Sequence, residues 1–160
     1  MVRKATKDDF FEILKIYESA RKYMKDTLNP SQWGDHWPPE DMVREDIENG
    51  SLYVIQRNGV LCGVMEFHIG EEPCYAALEG SWLYDEQYAT VHRIASNGKA
   101  RGIFSEFLDF GKNICKYIRI DTHLDNLVMQ SLIEAHGFEK CGTFFSAPER
   151  GWIAYEKMYD

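Results

Sequence analysis

No stretch of this sequence approaches the roughly 20 consecutive apolar residues of a membrane-spanning helix, and a membrane role is not expected. The opening MVRKATKDDFF lacks the apolar core of a secretory signal, so a cytoplasmic location is expected. Positive charge is scarce: 18 Lys and Arg face 26 Asp and Glu, for a formal net charge of -8. Nucleic acids and anionic membranes both attract a positive field, so neither is an expected partner. The four cysteines, Cys62, Cys74, Cys115 and Cys141, form no CxxC pair and read as free thiols of a reducing compartment. The five histidines include no HExxH pair. His123 and Asp125 could both touch a metal, but two ligands define no site, and no metal is expected. No repeat, low-complexity tract or Pro/Ser linker divides the chain.

What is present suits one domain spanning 1–160, since 44% of the residues are apolar. Val2 to Ala5 reads as a strand, with Thr6 as N-cap of a helix over Asp8 to Met24, whose Phe10, Leu14, Tyr17 and Met24 recur near helical spacing. Asn29 to Pro39, rich in Pro, Gly and Trp, reads as a loop, and Pro39 can start a second helix running to Ile47. SLYVIQ and VLCGVMEFHI flank Asn58-Gly59 as a hairpin. Gly70 to Asp85 reads as loop and Tyr88 to Ala95 as strand. A helix begins at Gly102 with Ile103, Phe107, Phe110 and Ile114 on its apolar face. Tyr117 to Asp121 is a strand, Asn126 to His136 a helix ended by Gly137, and Phe138 to Tyr159 two strands around Ala147-Pro148. The order β-α-α-β-β-β-α-β-α-β-β predicts an α/β fold of the α+β type with a mixed sheet.

The stretch VHRIASNGKARGIF, Val91 to Phe104, carries the most chemistry. A glycine between strand and helix lets backbone approach a ligand, and the first helix amides have no internal partners. With the helix dipole and the cations Lys99 and Arg101, this makes a candidate anion site for a phosphate-bearing ligand. A Walker A loop would need glycine at Arg93 and Ser or Thr at Ala100, and the dinucleotide pattern GxGxxG is absent as well.

KARGIF followed by SEFL resembles the acetyl-CoA loop of the GNAT N-acetyltransferases, Gln/Arg-x-x-Gly-x-Gly/Ala. Lys99 takes the first position, Gly102 the fourth and Phe104 the sixth. Asn126, Leu132 and Gly137-Phe138 resemble the family's second motif, Asn-x-x-Ala-x-x-Leu-Tyr-x-x-x-Gly-Phe. The element order agrees from Val2 to Tyr159. The resemblance implies a largely antiparallel, twisted sheet flanked by helices, with acetyl-CoA as cosubstrate. It implies that amides of Lys99, Ala100, Arg101, Gly102, Ile103 and Phe104 hold the coenzyme A pyrophosphate. Ile94, Ala95 and Ser96 would line the pantetheine arm like an added strand, and Asn126 would touch the arm or an ordered water. It also implies that the strand carrying Ile94 splays from the strand carrying Ile120. Two positions depart from the pattern: Phe104 replaces a small residue, and Ile133 stands where many members carry the tyrosine that protonates the departing thiolate.

The reaction so implied moves the acetyl group to a primary amine by direct attack in a ternary complex. The amine must lose a proton first, and His92 and Glu66 are the candidate bases, His92 ranked slightly first, with His68 on the same strand face as Glu66. Arg93 is expected to pair with Asp121 on the neighbouring strand. Trp33, Trp37 and Trp82, with Glu66, are candidate contacts of a small-molecule or peptide amine, since aromatic faces and carboxylates suit a cation. The alternative is a regulatory module that binds acetyl-CoA or CoA without turnover, which the missing tyrosine favours. The aromatic tail Trp152, Tyr155 and Tyr159 permits a homodimer and equally permits packing within one chain.

Overall fold

The computed structural model describes residues 1–160. In chain order the elements are β1 (Val2–Lys4), a 3-10 turn (Lys7–Asp9), α1 (Phe10–Asp26), α2 (Glu40–Glu48), β2 (Leu52–Arg57) and β3 (Val60–Ile69). A second 3-10 turn (Pro73–Ala77), β4 (Glu79–Gly80), β5 (Ala89–Ser96), α3 (Ile103–Gly111) and β6 (Tyr117–His123) follow. The chain ends with α4 (Leu127–Ala135), β7 (Glu139–Ala147) and β8 (Arg150–Met158). The sheet has eight strands in the order β1-β2-β3-β5-β6-β8-β7-β4. Pairing is antiparallel for β1 with β2, β2 with β3, β6 with β8, β8 with β7 and β7 with β4, and parallel for β5 with β6.

By contacts the chain divides into two compact units, Met1–Phe67 with His92–Phe110, and His68–Val91 with Gly111–Asp160. In the first, α1 presents Phe10, Ile13, Ile16, Tyr17 and Ala20 at three- and four-residue spacing, and all are buried. They pack with Val43 of α2, Leu52 and Val54 of β2, and Val64 of β3. Two-residue alternation sends Tyr53 to the opposite face, where its ring lies 5.1 Å from Phe110 of α3. Gly63 lets α3 seat closely, since a Cβ there would stand 2.5 Å from Ile103 Cγ2. The hairpin turn forms where Asn58-Gly59 predicted it, with both residues at positive φ. Thr6 precedes the 3-10 turn rather than capping α1 directly; Asp9 accepts the Thr6 amide at 2.8 Å and both guanidinium arms of Arg3 at 2.7 and 2.9 Å.

In the second unit, Tyr75, Tyr88, Tyr117, Phe144 and Ala154 form a buried cluster with Trp82 and Trp152 against it. Arg119 lies between two rings, 3.9 Å from the centroid of Trp82 and 3.8 Å from that of Tyr88. Such stacking satisfies a guanidinium that has left water. Its register partner Glu156 is also buried and accepts from Tyr117 Oη and the Leu83 amide, each at 2.9 Å. Tyr155 is buried and donates to Glu134 of α4 at 3.1 Å, so this part of the aromatic tail packs within one chain. The predicted loop over Gly70 to Asp85 contains a 3-10 turn and β4, and the helix expected to reach Ile114 ends at Gly111. No helix is long and apolar enough to cross a membrane.

Candidate active site

β5 is regular only in its first half. It pairs with β6 at Ala89↔Ile118, Thr90↔Arg119 and Val91↔Ile120, and the pairing ends there. Two residues later Arg93 adopts φ 45, a left-handed conformation that is uncommon for a side chain other than glycine or asparagine. His92, half-buried, occupies the position between the last paired residue and this turn. A main-chain turn at Arg93 therefore follows directly on the paired half of β5.

Two distant side chains hold that turn. Tyr17, fully buried on α1, donates to the Arg93 carbonyl at 3.1 Å. Asp46, buried on α2, accepts from Arg93 Nε at 3.0 Å and Nη2 at 2.9 Å. The guanidinium therefore goes to Asp46 and not to Asp121, which instead accepts from Tyr75 Oη at 2.7 Å. Glu66, only 3% exposed, lies 3.8 Å from Arg93 Nη2. Arg93 thus lies between two buried carboxylates, hydrogen-bonded to Asp46 and within charge contact of Glu66. Desolvation pushes the Asp46 carboxyl up, and the Glu66 charge adds to that rise against the lowering pull of Arg93. Burial likewise raises the Tyr17 phenol, and the Tyr53 phenol rises through burial and then Glu66.

After the turn, Ala95 buries its methyl in the core while Ile94 and Ser96 are half-buried. The following loop is braced by its own side chains. Ser96 Oγ accepts the Gly98 amide at 3.1 Å, and Asn97 Oδ1 accepts the Lys99 amide at 3.0 Å. Asn97 Nδ2 also donates to the Leu61 carbonyl at 2.9 Å, tying the loop to β3. The Lys99 amide is thus already engaged. Lys99, Arg101 and Gly102 are exposed, and Gly102 takes φ 74 immediately before α3 with nothing within 4 Å of where a Cβ would stand. Phe104 is buried at 6% exposure.

In the second unit Asn126 caps α4, its Oδ1 accepting the Met129 amide at 3.0 Å. Ile133 is fully buried. His123 Nδ1 accepts the Asp125 amide at 3.1 Å, and burial lowers the affinity of this ring for a second proton. No three His, Cys, Asp or Glu side chains cluster as a metal site, and all four cysteines are free. The tryptophans separate by environment. Trp33 is 9% exposed and packs edge-on to Tyr17 in the core, and Trp82 stacks on Arg119, while Trp37 is 43% exposed.

Sequence reasoning missed Asp46, Tyr17 and Asn97 as parts of this site. Asp46 was detectable as an acid three residues after Val43 and one before Ile47, on the apolar stripe of α2. Tyr17 read only as core, and Asn97 only as a turn residue.

Residues 12–138 match the acetyltransferase (GNAT) family model. A crystal structure of a GNAT-family acetyltransferase from Streptococcus agalactiae 2603 aligns with TM-score 0.89 at 29% identity, covering 100% of this chain and 95% of that one. An acetyltransferase from Salmonella typhimurium, solved with its cofactor acetyl-CoA, aligns with TM-score 0.64 at 15% identity over 100% of this chain and 94% of that one. A ribosomal-protein-alanine N-acetyltransferase from Brucella melitensis gives TM-score 0.65 at 17% identity over 99% of both chains. No curated protein matches the sequence. The fold is that of an acyltransferase. The chain belongs to the GNAT acetyltransferase family.

Proposed function

We propose that this protein transfers the acetyl group of acetyl-CoA to the primary amine of a small molecule or peptide by direct attack in a ternary complex. The observation that carries the reading is the left-handed turn at Arg93, followed within ten residues by a braced, cation-bearing loop that ends in left-handed Gly102 at the start of α3. Lys99, Arg101 and the amides of Ala100 to Phe104 would hold the pyrophosphate, and Ile94 to Ser96 the pantetheine arm. The Lys99 amide is committed to Asn97, so this residue contributes charge.

The incoming ammonium gives its proton to Glu66 or His92, directly or through water. The free amine attacks the thioester carbonyl, and main-chain amides after the Arg93 turn stabilise the oxyanion. The nitrogen gives its second proton to water, and collapse breaks the C–S bond to leave the neutral amide and the coenzyme A thiolate. Buried, apolar Ile133 supplies no proton to it. A thiol pKa of about 8.5 makes that thiolate a tolerable leaving group near neutral pH. Trp37, with its open ring, is the strongest of the three tryptophans as an acceptor contact.

The test is a panel of amines with acetyl-CoA and thiol detection, repeated over pH with Glu66→Gln and His92→Gln. Thiol release that depends on amine supports transfer. An unchanged kcat/KM profile in either variant removes that residue as the base. A second reading, a coenzyme-binding module without turnover, is favoured by Ile133; acetyl-CoA raising Tm with no amine supporting release would select it.

A further inference from the structure

The reading of Glu66 as proton acceptor raises a question about the cation beside it. A half-buried guanidinium 3.8 Å from a buried carboxylate would ordinarily close to a two-point ion pair, because charge-assisted hydrogen bonds are the strongest available. Here it does not. Arg93 Nε and Nη2 both donate to Asp46, at 3.0 and 2.9 Å, so Glu66 receives charge from Arg93 without a hydrogen bond. The planar fork has one orientation when held at two points. Its backbone is held from the other side by Tyr17. Titratable groups facing the cluster include the phenols of Tyr17 on α1 and Tyr53 on β2 and Glu45 beside Asp46 on α2, with His92 adjoining Arg93 on β5 and His68 two residues from Glu66 on β3.

We propose that Asp46 is a positioning residue for acetyl transfer: its two-point hold on Arg93 fixes the left-handed turn of β5 and keeps that cation from closing on Glu66. The inference rests on the role of Glu66 proposed above. Without the hold, the guanidinium turns to Glu66, and a charge-assisted pair there competes with the carboxylate's uptake of the ammonium proton. The turn at Arg93 relaxes in the same movement, since a left-handed residue with a Cβ is strained unless its contacts hold it.

The experiment compares Asp46→Asn, Asp46→Glu and Glu66→Gln with the wild type in steady-state kinetics over pH, with both KM values and Tm. For Asp46→Asn, kcat is expected to fall by about 10- to 100-fold as reacting groups lose their alignment. Its KM for acetyl-CoA should rise by less than kcat falls, because the pyrophosphate loop from Lys99 to Phe104 keeps its own bracing. The acidic limb of kcat/KM should move down by about one pH unit as Arg93 turns to Glu66. Asp46→Glu, which can keep both hydrogen bonds, should restore the limb toward its wild-type position. A wild-type rate and limb in Asp46→Asn overturns the proposal. So does a loss of rate, coenzyme affinity and Tm together with the limb unmoved. If Glu66→Gln leaves the limb intact, the role of Glu66 falls and takes this inference with it. If Glu66→Gln abolishes the limb while Asp46→Asn leaves it in place, only the inference about Asp46 falls.

Discussion

The phenolic hydroxyl of Tyr17 donates to the main-chain carbonyl of Arg93 at 3.1 Å, across 76 positions of sequence. It ties the middle of α1 to the one residue of β5 that turns left-handed. Replacing Tyr17 by Phe keeps the ring and its edge-on contact with Trp33 while removing the donor. The expected loss is about 1–2 kcal/mol, the cost of leaving a shielded carbonyl unpaired. A chain of this size should show it as a Tm fall of roughly 2–8 °C. The rate should fall more than the affinity for acetyl-CoA. A variant that loses Tm but keeps kcat would show the bond to be purely structural.

The loop before α3 should behave as an electrostatic cradle. Lys99→Ala with Arg101→Ala is expected to raise KM for acetyl-CoA by about tenfold with kcat nearly unchanged, since these charges serve ground state and transition state alike. The wild type should weaken with salt more steeply than the double variant. Gly102→Ala meets no neighbour, so its cost comes from φ 74 alone, about 1 kcal/mol, and should appear mainly in coenzyme affinity. Titration of coenzyme A by calorimetry at two ionic strengths checks all three.

Gly63→Ala is expected to destabilise through crowding. The added methyl would meet Ile103 Cγ2 at 2.5 Å and Phe107 Cε2 at 3.2 Å, at the first turn of α3. Overpacking of this kind costs about 1–3 kcal/mol. Shifting Ile103 also moves the helix start that follows the loop, so coenzyme affinity should fall together with Tm. Urea unfolding with an unchanged m-value, beside calorimetry, measures both effects.

Asp9 links stability to acid pH. Arg3 hydrogen bonds, with help from Thr6, hold its carboxyl at about 2 against an ordinary value of 3.8. A depressed folded-state pKa means the unfolded chain binds more protons, so the stabilisation is complete above about pH 4 and is lost as pH falls toward the folded value. Asp9→Asn should therefore cost about 0.5–2 kcal/mol at neutral pH, where it removes a helix-entry anchor. The gap from wild type should close by about pH 2. Equal Tm values for the two proteins at pH 7 would contradict this.

Much of the architecture was legible because it rests on periodicity and turn chemistry. Phe10, Tyr17 and their neighbours write the buried face of α1, and Asn58-Gly59 writes the hairpin. Lys99, Gly102, Asn126 and Gly137-Phe138 carry the family resemblance in the sequence itself, and the fold follows from it.

What stayed hidden was long-range. No glycine or asparagine marks Arg93 as left-handed; the turn is imposed by Tyr17 and by Asp46, 76 and 47 positions away. Arg93 was expected to pair across the sheet with Asp121, because strand neighbours are the contacts a sequence displays. The acid it actually meets sits on a helix, where only its misplaced charge among Val43 and Ile47 gave a sign. Trp33 illustrates the converse: an aromatic in a Pro/Gly-rich loop suggested a binding surface, and the ring is in the core against Tyr17. β4, two residues long, is too short for any period.

That short strand has a genetic consequence. Gly80 and Gly142 are register partners, and a methyl on either would press on backbone of the opposite strand, including Gly142 Cα at 2.8 Å and Gly80 Cα at 2.9 Å. Neither residue can change while the pairing persists, and neither is constrained once it is gone. The two positions should therefore be strongly epistatic: Gly80→Ala and Gly142→Ala each cost the pairing, and the double variant costs little more than either alone. A lineage that lost one glycine would be released to lose the other.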